Sequence, residues 1–98
     1  TGGVKVQAEQ VEACLKPYFT TSFAVTSVPD PRLGEAVTLL YTDERTTDEV
    51  AHLCNEKLQP YWRPKHYYQV TDIPQTGSGK ISRAEAHALA ERLHKAFR

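Results

Sequence analysis

Residues 22–42 decide the fold, and their sequence is SFAVTSVPDPRLGEAVTLLYT. The segments 22–28 and 35–42 are rich in β-branched and aromatic side chains, which favours two strands. Between them, residues 29–34 contain Pro, Asp and Gly, all of which are typical of tight turns. The sequence therefore predicts a hairpin whose two strands pair antiparallel.

Helical patterns flank this hairpin on both sides. Before the hairpin, residues 8–16 have apolar side chains at i, i+3 and i+4, the spacing of one face of a helix. We expect this face to be buried, and it consists of Val11, Cys14 and Leu15. After the hairpin, Thr46 and Glu49 have the spacing of a capping box, which predicts a helix start. The buried stripe of that second helix would consist of Val50, Leu53, Cys54 and Leu58.

The remaining elements complete an α+β order. We expect short strands at Val4–Val6 and at residues 66–70, and a loop over residues 74–80. Ser82 and Glu85 form a second capping box, which predicts a helix to about Ala96. Its inward side chains would be Leu89, Leu93, Ala96 and Phe97. We predict a small three-stranded, mainly antiparallel sheet covered by about three helices.

Composition limits the function classes. The 98 residues suffice for one small domain, and 40% hydrophobic with 24% charged residues excludes a disordered or fibrous chain. No apolar run approaches the roughly 20 residues of a membrane helix, and no signal peptide is recognisable. Because the sequence starts without Met, we expect a piece excised from a longer protein. Residues 1–56 carry a net charge of −5 and residues 57–98 a net charge of +5, so phosphate contacts are expected in the second half.

The two cysteines, Cys14 and Cys54, form no C-x-x-C pair. Their apolar helical positions indicate two buried thiols in a reducing compartment. A disulfide between them remains an alternative.

The loop Pro74–Lys80 is the first candidate for chemistry. It differs from a phosphate-binding P-loop, which requires Gly at position 74 and Ser or Thr at position 81, where this chain has Pro74 and Ile81. What remains is a glycine-flanked lysine, Lys80, on a loop that we expect to be flexible. Such a lysine can present a point charge to a developing anion, although an ordinary exposed turn lysine is the simpler alternative.

Other candidate sites are weaker. His87 and His94 lie about 10.5 Å apart by helical rise, too far to share one ion, so we predict no metal site. Residues 61–68 interleave aromatic and basic side chains, as in single-strand nucleic-acid binders. A connector anchored by Tyr61 and Trp62, followed by a half-buried strand, explains the same pattern.

Four segments, in order along the chain, resemble motifs of the adenylate-forming enzymes, the superfamily of acyl-CoA synthetases, peptide-synthetase adenylation domains and luciferases. These segments are Gly2–Glu12, Val28–Glu35, Leu58–Pro64 and Pro74–Arg83. The last matches the family pattern Pro-x-Thr-x-x-Gly-Lys-x-x-Arg. Two positions depart from the family: Ala8 replaces the usual Pro, and Gln10 replaces the first Glu of Glu-Val-Glu, whereas Glu12 keeps the second.

The resemblance implies that residues 1–98 are the C-terminal lid domain of an ATP-dependent acid–CoA ligase whose large N-terminal domain is absent from this chain. Such a ligase joins a carboxylate to ATP as an acyl-adenylate and then forms a thioester with coenzyme A. Lys80 is implied as the catalytic residue of the first step. Gly2 and Gly3, with Lys5 beside them, would line the channel for the pantetheine arm of coenzyme A. Supporting roles are implied for Glu12, Gly79 and Arg83.

The resemblance also implies ATP, Mg²⁺ and coenzyme A, bound mainly with the N-terminal domain. The expected partners are that domain, a small carboxylic acid and a second copy of the full-length enzyme, with no nucleic acid and no membrane, in the cytoplasm. Residues 4–6 and 23–30 are most similar to o-succinylbenzoate–CoA ligases of menaquinone synthesis. The fragment alone should fold without ligase turnover.

Three alternatives remain open. The chain could be the lid of an adenylation domain that loads a carrier protein. It could be a nucleic-acid module that uses residues 61–68 and the basic last helix. It could also be a non-catalytic interaction domain, in which Lys80 is replaceable.

Overall fold

Three helices and three strands form the part of the chain that the computed structural model describes, residues 8–32 and 34–97. The helices are α1 (Ala8–Leu15), α2 (Thr47–Lys57) and α3 (Arg83–Phe97), and the strands are β1 (Phe23–Asp30), β2 (Gly34–Tyr41) and β3 (His66–Gln69). Short 3-10 turns follow α1 and α2, at Lys16–Tyr18 and Pro60–Trp62. The α+β prediction is confirmed, while the expected strand Val4–Val6 lies outside the described residues.

The sheet has the order β1-β2-β3, with β2 in the centre. The predicted hairpin is confirmed, since β1 and β2 pair antiparallel from Phe23 opposite Tyr41 to Asp30 opposite Gly34. Gly34 has a φ of +82°, a left-handed conformation that glycine adopts without steric cost. β3 pairs parallel to β2, so the sheet is mixed. A parallel neighbour requires a long crossover, which α2 and the connector after it provide.

Both faces of the sheet are covered by helices. On one face, Val25, Leu39 and Tyr41 pack with buried side chains of α1 and α2. On the other face, α3 packs against a second cluster in which four alanines meet: Ala24, Ala36, Ala86 and Ala90. The sheet and α3 thus both contribute small side chains to this interface. Among the described residues, no helix is long and apolar enough to cross a membrane.

The predicted helix starts are confirmed. The Thr46 side chain accepts a hydrogen bond from the Glu49 amide, and the Glu49 carboxylate accepts one from the Thr46 amide, which completes the capping box of α2. At α3, only half of the predicted capping box forms: the Glu85 amide donates to Ser82 Oγ over 3.4 Å, whereas the Ser82 amide donates to the Pro74 carbonyl. These caps satisfy amides that the first helical turn leaves without partners.

Two burial predictions are wrong. Cys14 is exposed, although Cys54 is buried as expected, and both thiols are free, so the alternative disulfide is absent. The buried arc of α1 runs from Val11 through Leu15 toward Glu12, whereas Cys14 lies about 60° to the other side of Val11. Ala96 is also exposed, because it lies about 80° around α3 from the buried Ala86.

Candidate active-site loop

The loop that carries Lys80 is a small β-hairpin. The Thr76 amide donates to the Lys80 carbonyl over 2.7 Å, and Gln75 and Ile81 form an isolated antiparallel bridge. The Gly79 amide donates to the Thr76 carbonyl over 3.0 Å, and Gly79 has a φ of +85°. A left-handed residue at the third position is common in three-residue hairpin turns. The loop is therefore more constrained than its glycine-rich composition predicts.

Apolar side chains anchor the hairpin at its base. Ile73 is buried, and Ile81 is partly buried against the same cluster that packs between the sheet and α3. The Ser82 amide donates to the Pro74 carbonyl over 2.9 Å and closes the base just before α3 begins. The two ends of the hairpin are thus fixed to the core, and its tip projects from the domain.

Lys80 is exposed on this hairpin. Within residues 8–32 and 34–97, the carboxylates that form ion pairs do so with Arg45, Arg83 and two histidines, and none does so with Lys80. Beside it at the tip, the hydroxyls of Thr76 and Ser78 are hydrogen bonded to each other over 3.0 Å. The hairpin therefore presents a cation that is available to an anionic ligand from outside the described chain.

Arg83, the first residue of α3, forms a bidentate ion pair with Glu12 of α1. Arg83 Nη1 and Nη2 donate to Glu12 Oε2 and Oε1 over 2.7 and 2.6 Å. The Val25 amide also donates to Glu12 Oε2 over 2.7 Å, and Arg83 Nη1 donates to the Val25 carbonyl over 3.3 Å. The hydrogen bond to Glu12 raises the pKa of Arg83 further, with burial acting in the opposite direction. This contact joins α1, β1 and the start of α3.

Of the site residues expected from the sequence, Gly79 and Lys80 lie on the hairpin, and Arg83 at the start of α3 is paired with Glu12 of α1. The expected coenzyme A residues, Gly2, Gly3 and Lys5, lie outside the described residues.

The histidines form local pairs. His52 and His87 each contact a glutamate four residues on, Glu56 and Glu91. Within the described residues, no group of three or more His, Cys, Asp or Glu side chains could hold a metal ion.

The contact between the histidines of β3 and α3 was not predicted from the sequence. His66 and His94 meet edge to face with centroids 4.8 Å apart, and Tyr68 Oη lies 3.2 Å from His94 Nδ1. Burial, and then the neighbouring His94, lowers the pKa of His66, whereas Asp30 acts in the opposite direction. The residues of β3 and α3 are far apart in the sequence, so no local pattern could have predicted this contact.

The aromatic segment 61–68 does not form a stacking platform. Trp62 and Tyr67 pack against one core cluster and Tyr68 against the other. Tyr61 is 65% exposed, so its predicted anchoring role is wrong. Since only one of these four rings is largely free, the segment lacks the row of open aromatic faces on which successive bases stack.

Comparison with known proteins places this geometry in a family. The sequence model of the AMP-binding enzyme C-terminal domain family matches residues 12–80, well over half of the chain. A 4-chlorobenzoate–CoA ligase from Arthrobacter is 32% identical over 87 residues, which cover 85% of this chain and 17% of the relative. A 2-succinylbenzoate–CoA ligase from Bacillus cereus is 28% identical over 96 residues, which cover 95% of this chain and 20% of the relative.

The fold agrees with that of solved relatives. A fatty acyl CoA synthetase from Mycobacterium tuberculosis superposes with a TM-score of 0.80 at 22% identity, covering 95% of this chain and 19% of that one. The chain thus spans about a fifth of the length of the proteins it matches. The family match, which extends from Glu12 to Lys80, shows that the chain belongs to the AMP-binding enzyme C-terminal domain family.

Proposed function

We propose that residues 1–98 form the C-terminal lid domain of an AMP-forming acid–CoA ligase, and that Lys80 is its catalytic residue in adenylate formation. The observation that carries this proposal is the position of Lys80: it is exposed on an anchored hairpin, with no ion-pair partner in the described part of the chain. Family membership and the names of the curated relatives support the reaction class. The large N-terminal domain would supply the rest of the active site.

The first step requires a cation. A carboxylate oxygen forms a bond to the α-phosphorus of ATP as the bond from that phosphorus to the bridging oxygen breaks, and pyrophosphate leaves. Both reactants are anions, so a lysine held between them stabilises the transition state more than the separated reactants. At about 4 Å and an effective dielectric constant of about 20, one charge pair contributes about 4 kcal/mol. This energy corresponds to roughly 10³ in rate.

The second step requires a different face of the domain. After adenylate formation, rotation of the lid would withdraw Lys80 and bring Gly2 and Gly3, with Lys5 beside them, to the same site. Glycines suit a narrow channel because they have no Cβ to obstruct the pantetheine arm of coenzyme A. The coenzyme A thiolate then attacks the acyl carbonyl, and AMP leaves. Lid motions of this kind separate the steps of many enzymes.

For the acid substrate we propose an aromatic carboxylate, with 2-succinylbenzoate as the first compound to test. Two relatives of this chain are ligases of such acids by name. Mg²⁺ would balance phosphate charge in a site formed mainly by the N-terminal domain, and we propose a cytoplasmic, homodimeric enzyme. Coenzyme A rather than a carrier protein is proposed as acceptor because the same relatives are CoA ligases.

The test separates the two half-reactions in the full-length ligase. Lys80→Ala should slow acid-dependent pyrophosphate exchange by about 10²–10³-fold, the scale of one lost preorganised charge partner. It should leave thioester formation from supplied acyl-adenylate intact. Lys65→Ala, which removes another exposed lysine, is the matched control and should leave both steps unchanged. Equal loss of both half-reactions in Lys80→Ala would contradict the proposal.

A second variant tests the coenzyme A face. Gly3→Leu should leave pyrophosphate exchange intact and block thioester formation. A normal thioester yield in this variant would remove the glycines from the mechanism. Thioester formation on a carrier protein but not on coenzyme A would replace the proposed acceptor.

A further inference from the structure

We propose that Glu12 and Arg83 are positioning residues, which fix the hairpin so that Lys80 is its one cation available to an anionic substrate. This inference rests on the proposed function for the role of Lys80. Its physical basis is the two-pronged contact between α1 and the start of α3, whose partners lie 71 residues apart in sequence.

The contact holds Arg83 in a single orientation. Both oxygens of Glu12 accept from separate guanidinium nitrogens, and the Val25 amide adds a third hydrogen bond to the same carboxylate. The Glu12 side chain is 13% exposed, so water competes weakly for it. Parallel charge-assisted hydrogen bonds between guanidinium and carboxylate restrict direction as well as distance. Lysine, a point charge on a flexible stem, could not reproduce this geometry.

The restraint reaches Lys80 through a short, hydrogen-bonded path. Arg83 is the first residue of α3 and directly follows Ser82, whose amide closes the hairpin base on Pro74. One step further, the Lys80 carbonyl accepts from the Thr76 amide. Fixing Arg83 therefore fixes both cross-strand hydrogen bonds that define the place of Lys80.

The same contact keeps Arg83 from competing for the substrate. Arg83 is only three residues from Lys80 and still 39% exposed, so without a partner it could turn toward the same anion. Glu12 neutralises it, and Glu9 lies 3.8 Å from its Nε as a second carboxylate. Of these two neighbouring cations, Arg83 at the start of α3 is bound internally, and Lys80 on the hairpin is left for the substrate.

The test measures the hairpin directly, in the 98-residue chain. Amide hydrogen exchange is followed at Thr76 and Ser82 on the hairpin, and at Lys65 and Val70, whose amides bond to carbonyls of β2. Glu12→Gln keeps the side-chain shape without the charge. Arg83→Lys keeps the positive charge but removes the planar guanidinium that donates two parallel hydrogen bonds. Each variant should speed exchange of the Thr76 and Ser82 amides by about tenfold relative to the Lys65 and Val70 amides. This factor is the scale of one charge-assisted hydrogen bond.

The matched control is Asp43→Asn, which weakens a comparable pair with Arg45 in the connection from β2 to α2. It should leave unchanged the ratio of the exchange rates of the hairpin amides to those of Lys65 and Val70. The proposal is overturned if Glu12→Gln and Arg83→Lys leave exchange of the hairpin amides unchanged. It is also overturned if they speed the hairpin amides and the Lys65 and Val70 amides equally, because the contact would then only stabilise the domain.

The activity arm uses the full-length ligase. Glu12→Gln and Arg83→Lys should lower kcat for pyrophosphate exchange by about tenfold and leave thioester formation from supplied adenylate unchanged. Equal loss in both half-reactions would overturn the positioning role. A wild-type ligase that activates no acid would overturn the proposed function instead, and the exchange ratios would still decide whether the contact holds the hairpin.

Discussion

Replacement of Gly79 by Ala tests how the Lys80 hairpin is held. Gly79 has a φ of +85°, and a Cβ built on it meets no heavy atom within 4 Å. The cost of an alanine there is therefore conformational and not steric. Gly77, two residues earlier on the same turn, also has open space for a Cβ but does not have a positive φ. Gly77→Ala is thus a closely matched control.

The expected magnitude follows from the difference between these two positions. A left-handed conformation costs an L-residue about 1–2 kcal/mol. Both variants restrict the unfolded chain similarly, a stabilising effect of about 0.4–1 kcal/mol that cancels in the comparison. The free energies of unfolding should therefore differ by about 1–2 kcal/mol, with Gly79→Ala the less stable. For a domain of this size, each kcal/mol shifts Tm by about 4–8 °C.

The assay is thermal unfolding of the two variants and the wild type, followed by circular dichroism. Gly77→Ala should unfold at or slightly above the wild-type Tm, and Gly79→Ala below it. Equal Tm values for the two variants, or a lower value for Gly77→Ala, would refute the left-handed turn as the device that shapes the hairpin.

Three further predictions concern the body of the domain. Iodoacetamide should label Cys14 quickly and Cys54 only on unfolding, because burial raises the pKa of Cys54 to about 11; equal labelling rates in the native chain would contradict this. Because the folded pKa of His66 lies below its ordinary value of 6.5, the unfolded chain binds more protons below that pH. The free energy of unfolding should therefore fall on acidification below about 6.5, and a His66→Gln variant that keeps the wild-type slope would exclude this cause. Thr46→Ala should lower the free energy of unfolding by about 1 kcal/mol in urea titrations, whereas Thr47→Ala, which leaves the cap intact, should not.

The hairpin of β1 and β2 and the start of α2 could be predicted from the sequence because their signals are local. Strand alternation, turn residues and the Thr46–Glu49 capping box act within a few residues of each other. The direction of β3 could not be predicted in this way. It depends on the crossover through α2, and the four residues of β3 carry no mark of a parallel partner.

Burial was predicted least well where helices are short or side chains are small. The stripe of α1 could be placed on either side of Val11, and the choice that exposes Cys14 brings Glu12 within reach of Arg83. On α3, Ala86 and Ala90 are fully buried and Leu89 and Leu93 only partly, although Leu89, Leu93, Ala96 and Phe97 were expected to form the inner face.

The residues of the candidate site were predicted from a motif, whereas the contacts among them were not. Composition alone left Lys80 as an exposed turn lysine, and the resemblance singled out Glu12 and Arg83 without pairing them. That pairing spans 71 residues and depends on how α1 and α3 pack around β1. No local pattern contains this information.

Contact between Lys80 and the nucleotide is expected only while the adenylate forms. It can be tested by acetylating surface lysines of the full-length ligase and quantifying each by mass spectrometry, with Lys65 as internal reference. With the acid and a non-hydrolysable ATP analogue bound, Lys80 should lose reactivity relative to Lys65, and with coenzyme A and an adenylate analogue it should regain it. Equal labelling of Lys80 in both states would mean that Lys80 does not leave the nucleotide between the two steps.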